Sequence, residues 1–120
     1  MLPQSYNDLI DKAQKTKLYN NLIEQLNKDF LYANVELMLR VSDSPNQIKQ
    51  HLYNIVLNLI QERFGDYINL LYTIDVSEAK VKALDGSDLN KLTEQVVFLI
   101  LQREWQKVWL KYQYGSKTKT

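Results

Sequence analysis

The sequence predicts an all-α bundle of four or five helices with one short extended segment. Turn-formers are scarce: three Gly and two Pro in 120 residues disfavour a many-turned β-sandwich and suit a few long elements. Apolar residues recur at helical spacing along most of the chain. The exception is "NVELMLRV", Asn34 to Val41, where Val35, Leu37, Leu39 and Val41 alternate with Glu36, Met38 and Arg40. Leu31, Val35, Met38 and Val41 also fit a helix, and a lone strand is hardly stable in water, so the segment reads as an extended connector. The strand reading needs a partner, either a second copy of the chain or "LLYTIDV", and the latter pairing makes a small α+β fold the alternative.

Helix boundaries follow from local chemistry. Ser5 stands three residues before Asp8 and offers its hydroxyl to an orphan N–H, opening a helix with the stripe Leu9, Ile10 and Ala13. A second stripe, Leu18, Leu22, Ile23, Leu26 and Phe30, points to nearly the opposite side of a continuous helix. The phase break at "QKTK", Gln14 to Lys17, therefore predicts a kink or two helices, the second starting near Thr16. "SDSPNQ" is the clearest boundary, with Ser44 as N-cap, Pro45 at the first helical position and Gln47 at capping-box spacing. Ile48, Leu52, Ile55, Val56, Leu59 and Ile60 then mark a helix to about Phe64. Its continuation through Gly65 and "DYINLLYTI" costs about 1 kcal/mol for the glycine. Asp75 and Glu78 have capping-box spacing for a short helix, "VSEAKVKAL", which "DGS" ends. The last helix is expected from near Asp88 to about Tyr112, within a single domain over residues 1–114. "GSKTKT", residues 115–120, reads as a flexible polar tail.

The totals bound the function. A chain of 120 residues buries roughly two-thirds of its unfolded surface and needs no disulfide or metal to fold. The absence of cysteine excludes disulfides, thiolate chemistry and Cys-based zinc sites. "MLPQSYND" lacks a basic region followed by an apolar one, so no signal peptide is expected. The longest wholly apolar run, Val96 to Leu101, is far below the ~20 residues of a membrane span. A soluble, cytoplasmic protein without membrane contact is the expectation.

Tests for specific chemistry fail one after another. His51 is the sole histidine and lies at the edge of its stripe, beside Ile55; without a G-x-S-x-G elbow it reads as structural or exposed. A di-metal bundle site needs Glu-x-x-His on each of two helices, yet Ile48 stands three residues before His51. Glu62 and Asp66 form an i,i+4 carboxylate pair, a spacing that is usually solvated. Counted from Asp85, the fifth and twelfth positions of a calcium loop fall on Leu89 and Val96, which offer no side-chain oxygen. Gly65, Gly86 and Gly115 form no phosphate loop. A helix-turn-helix would need "LNKLTEQVVFLIL" to read bases, and that is a core sequence. The expectation is a protein that is not an enzyme and carries no cofactor or metal.

The run "YINLLYTIDVSEAKVKALDGSDLNKLTEQVVFLILQREWQKVW" resembles a family of short, uncharacterised bacterial helical proteins over the C-terminal half. The resemblance implies a small stand-alone protein and brings no activity with it.

The last helix carries the most information. Leu89, Leu92, Val96, Leu99 and Ile100 share one side, and Arg103, Lys107 and Lys111 continue it, so an apolar face turns cationic. Phe98, Leu101, Trp105, Val108, Trp109 and Tyr112 line roughly the opposite side, and Val96 to Leu101 is apolar nearly all round, the mark of a buried segment. Either the chain's own helices cover both sides, or another protein chain covers the aromatic one. Residues 101–120 hold five cations against Glu104, a net +4, while residues 1–100 carry −3. Such a tail meets an anionic partner or folds back on its own body. The functional expectation is a non-enzymatic protein–protein interaction or assembly module, binding a protein partner or itself as a homodimer. Trp105, Trp109 and Tyr112 are its candidate anchors, with Lys107 and Lys111 on the rim. The alternative class is a single-stranded nucleic-acid binder in which lysines hold phosphates and aromatics stack on bases. A pI near 7.8 speaks against it.

Overall fold

Helix α1, Tyr6–Lys15, starts at Ser5, whose Oγ accepts from Asp8 N at 3.1 Å. After it Lys17 takes a left-handed φ of 62°. That one residue absorbs the phase break, so α2, Tyr19–Tyr32, turns Leu22, Ile23, Leu26 and Phe30 onto the same core as Leu9 and Ala13. The computed structural model describes residues 2–118, and among them are six helices and no strand. The all-α bundle forms, and the α+β alternative does not.

The alternating segment is neither helix nor strand over residues 35–40, with Val35, Leu37 and Leu39 buried, Glu36, Met38 and Arg40 exposed, and a left-handed Met38 (φ 52°) interrupting its extended course. It has the pattern of a strand and no neighbouring strand. The Asn27 side chain takes that place: Leu39 N donates to Asn27 Oδ1 and Asn27 Nδ2 donates to Leu39 O, both at 2.9 Å. His51 Nε2 lies 2.7 Å from Leu37 O; a carbonyl only accepts, so Nε2 carries the proton. Side chains thus satisfy backbone groups that a sheet would otherwise pair. Tyr6 donates to Pro45 O, and Tyr19 to Asp43 O at 3.1 Å, tying both early helices to the start of the third.

Helix α3, Pro45–Glu62, opens with the full capping box: Gln47 N reaches Ser44 Oγ at 3.2 Å and Ser44 N reaches Gln47 Oε1 at 2.8 Å. It does not continue through Gly65. Arg63 leaves helical geometry (φ −140°, ψ 58°), and α4, Phe64–Ile74, sets off in a new direction to pack on α2 and α6. The break lets Leu70 and Ile74 bury completely, and it raises the helix number above the expected four or five. A second correction concerns the next cap. Left-handed Asp75 closes α4, whereas Ser77 caps α5, Glu78–Lys82, by accepting from Lys80 N at 3.3 Å.

Asp88 Oδ1 accepts from Lys91 N at 3.1 Å and opens α6, Leu89–Thr118. This helix runs past Tyr112; the stretch expected as a tail is helical from Gly115 to Thr118, and residues 119–120 lie outside the described residues. α1, α2, α3 and α4 all pack on α6. Val96, Val97, Ile100 and Leu101 are at most 4% exposed while Phe98 and Leu99 are half-buried, so this chain itself covers most of the segment that is apolar nearly all round. Thirty residues make a helix about 45 Å long, matching the 48 Å long axis of the molecule and exceeding its 28 Å width. One end of α6 therefore projects, and residues 110–114 are exposed. Among the described residues no helix is long and apolar enough to cross a membrane.

Candidate functional site

The cationic stripe of α6 lies along the body. Arg103 donates from Nε to Asp75 O at 3.0 Å and from Nη2 to Asp75 Oδ2 at 3.2 Å, placing a cation on the C-terminal end of α4. Lys107 Nζ donates to Asp29 Oδ2 at 2.8 Å, and Lys111 Nζ to Gln25 Oε1 at 2.8 Å. Gln25 and Asp29 stand one turn apart on α2 and are joined by Gln25 Nε2 to Asp29 Oδ2 at 3.1 Å. Glu104, Lys107 and Lys111 share the facing side of α6 through i,i+3 and i,i+4 spacing. The result is a polar seam inside the α2–α6 contact.

Glu104 is the unusual member of that seam. Its side chain is 0% exposed, and neither carboxyl oxygen has a hydrogen-bond partner; Lys107 Nζ stands 3.5 Å from Oε1. Burial, and then the adjacent Asp29, push the Glu104 pKa up to about 9. For Asp29 burial works in the same upward direction. The neighbouring Glu104 carboxyl, together with the hydrogen bonds from Lys107 and Gln25, outweighs it and leaves the pKa below the ordinary value. The two shifts run in opposite directions, favouring the neutral form of Glu104 and the carboxylate form of Asp29, which answers Lys107. Separated carboxyl pKa values are the raw material of acid–base catalysis, but a fully buried Glu104 meets no substrate in this conformation. The seam is chemistry that sets how α2 and α6 meet.

The aromatic side of α6 passes from core to solvent. Trp105 is 4% exposed and belongs to the core, while Trp109 is half-buried against it and Tyr112 is 49% exposed. Their rings form a ladder, with centroids 6.0 Å apart between Trp105 and Trp109 and 5.8 Å between Trp109 and Tyr112. Leu110 and Tyr114 are exposed on the same projecting end. Of the five residues expected at a partner surface, the structure brings Trp109 and Tyr112 together near solvent. It seals Trp105 inside and engages Lys107 and Lys111 with α2.

A second exposed apolar surface lies on α4, where periodicity had placed only a continuation of α3. Phe64, Ile68 and Tyr72, spaced i,i+4,i+8, stand beside the buried face of Tyr67, Leu70, Leu71 and Ile74. Beside this stripe a groove of about 450 Å³ runs between α4 and α5, lined by Ile68, Leu71, Tyr72, Val76 and Val81. α5 buries none of its own side chains. The spacing 64–68–72 was the available signal. Asp29 and Gln25 gave a weaker one, sitting next to the Leu22–Leu26 stripe.

Other candidates have local partners: Asp66 pairs with Arg63 at 2.7 Å and does not meet Glu62, and His51 pins the connector. Among the described residues no group of three or more His, Asp or Glu is placed to hold a metal ion. No family model, curated protein or solved structure matches this chain.

Proposed function

We propose that this chain is a non-enzymatic protein–protein interaction or assembly module that presents the projecting end of α6. The observation carrying this reading is the aromatic ladder anchored in the core at Trp105 and ending at solvent-exposed Tyr112, with Leu110 exposed on another side of the same helix end. Rigid aromatics on a helix rooted in the core lose little freedom when a partner covers them, which is the economy of an interface anchor. The nucleic-acid reading draws on Lys107, Lys111, Lys117 and Lys119, and the first two ammonium groups already serve Asp29 and Gln25. The interaction reading needs neither.

A Trp105→Phe variant keeps Trp109 as the sole tryptophan reporter. A polypeptide that binds the wild type should shield Trp109 from acrylamide and should lose affinity for a Leu110→Ser/Tyr112→Ser variant that melts normally. Binding that leaves both the quenching and the double variant unaffected would place the partner elsewhere and end this reading.

A further inference from the structure

We infer that the Phe64–Ile68–Tyr72 face of α4, with the adjoining α4–α5 groove, is a self-association surface that joins two copies of this chain through a two-fold axis near Ile68. The inference rests on the reading of the chain as an interaction module and assigns a face separate from the α6 end.

The surface is large for a small molecule. Phe64, Ile68 and Tyr72 are 58%, 49% and 85% exposed. Together they leave roughly 400 Å² uncovered, given the 150–250 Å² an aromatic side chain can bury. That is about half of the ~800 Å² each partner contributes to a standard interface, and the groove supplies more from the partly exposed Val76 and Val81.

The pattern is its own complement. An isologous contact requires that residue i meet residue j while j meets i. The stripe is symmetric about Ile68, with an aromatic ring four residues to either side. Two α4 helices crossing antiparallel at Ile68 set each Phe64 against the other copy's Tyr72, beside the groove behind that tyrosine. Each copy thus offers one knob and one hole. The carboxylates at the groove are already answered within the chain, Asp75 by Arg103 at 3.2 Å and Glu78 by Lys82 at 3.1 Å. Covering the groove therefore strands no unpaired charge.

Gly65 agrees with this arrangement. It stands on the same side of α4 as Ile68 and Tyr72, its φ is not positive, and a Cβ there would meet nothing within 4 Å. Nothing in the chain itself requires a glycine in this helix, whereas a second helix lying across the stripe is helped by a missing side chain.

Sedimentation equilibrium over a concentration series tests the inference. The wild type should approach twice the chain mass as concentration rises. Ile68→Glu, which sets like charges on the axis, should stay at the mass of one chain with an unchanged far-UV spectrum. Leu110→Ser/Tyr112→Ser should still dimerise, so failure here is distinct from failure of the α6 reading. Because the chain has no cysteine, crosslinking fixes the register. Under mild oxidation, Phe64→Cys mixed with Tyr72→Cys should form a mixed disulfide, and Phe64→Cys alone should not. A wild type that remains monomeric throughout, a dimer that survives Ile68→Glu, or a 64–64 crosslink in preference to 64–72 would each overturn it.

Discussion

Glu104 shows what one residue can impose on its surroundings. A carboxyl with a pKa near 9 in the folded chain and 4.5 in the unfolded one means that folding takes up a proton between those values. The native state then binds more protons than the unfolded state, so stability falls as pH rises through that window, by about 1.4 kcal/mol per pH unit for one proton. Asp29 acts in the opposite sense: its lowered pKa adds stability that is lost as pH falls below 3.8 and through the folded value. Glu104→Gln keeps the shape and removes the titration. Urea melts across pH 5 to pH 9 should show a shallower slope for the variant and a gain over wild type that grows with pH. Parallel slopes would mean that Glu104 is charged in the native state. None of this is legible in "REWQKVW", where Glu104 reads as an ordinary acid among cations. Its surroundings are set by distant sequence: on α2, Asp29 meets Lys107 across 78 positions.

Elements divide by whether their determinants are local. Ser5, Ser44–Pro45–Gln47 and Asp88 act on backbone groups within three residues, and each helix start they mark is where they mark it. The division at Arg63 has no such marker. The stripes of α3 and α4 stay in phase across it at about 100° per residue, so periodicity reads one helix where packing makes two. The extended connector lies between these cases. Its alternation is plain, but what holds it is the Asn27 amide, twelve residues away on α2. Asn27→Ala leaves the N–H and C=O of buried Leu39 without those partners and should cost about 2 kcal/mol in thermal or urea melts. Asn27→Asp keeps the acceptor, loses the donor and should fall between; an Ala variant as stable as wild type would assign the connector's hold to Leu37 and Leu39 burial alone.

At the scale of the whole molecule, stability is graded along its length. Val96 to Leu101 of α6 lies where four other helices converge, so its amides should exchange only on global unfolding. α5, with no buried side chain, should exchange first among the helices, and the projecting end of α6 soon after. Native-state hydrogen exchange resolves this order, and uniform protection across α5 and mid-α6 would show a single cooperative unit. The sequence foretold that mid-α6 is enclosed. It did not say by what, because an apolar stripe reports that a face is covered and never which element covers it.

The placement of the spine has a consequence for how the chain is made. α1, α2, α3 and α4 are each synthesised before α6, the helix on which all four pack. Until then Leu9, Leu26, Leu52 and Leu70 belong to faces whose common partner does not exist. Until α6 is made, those faces have only one another for cover, and Val96 to Leu101 then fills the centre of the bundle rather than adding a further layer to its outside.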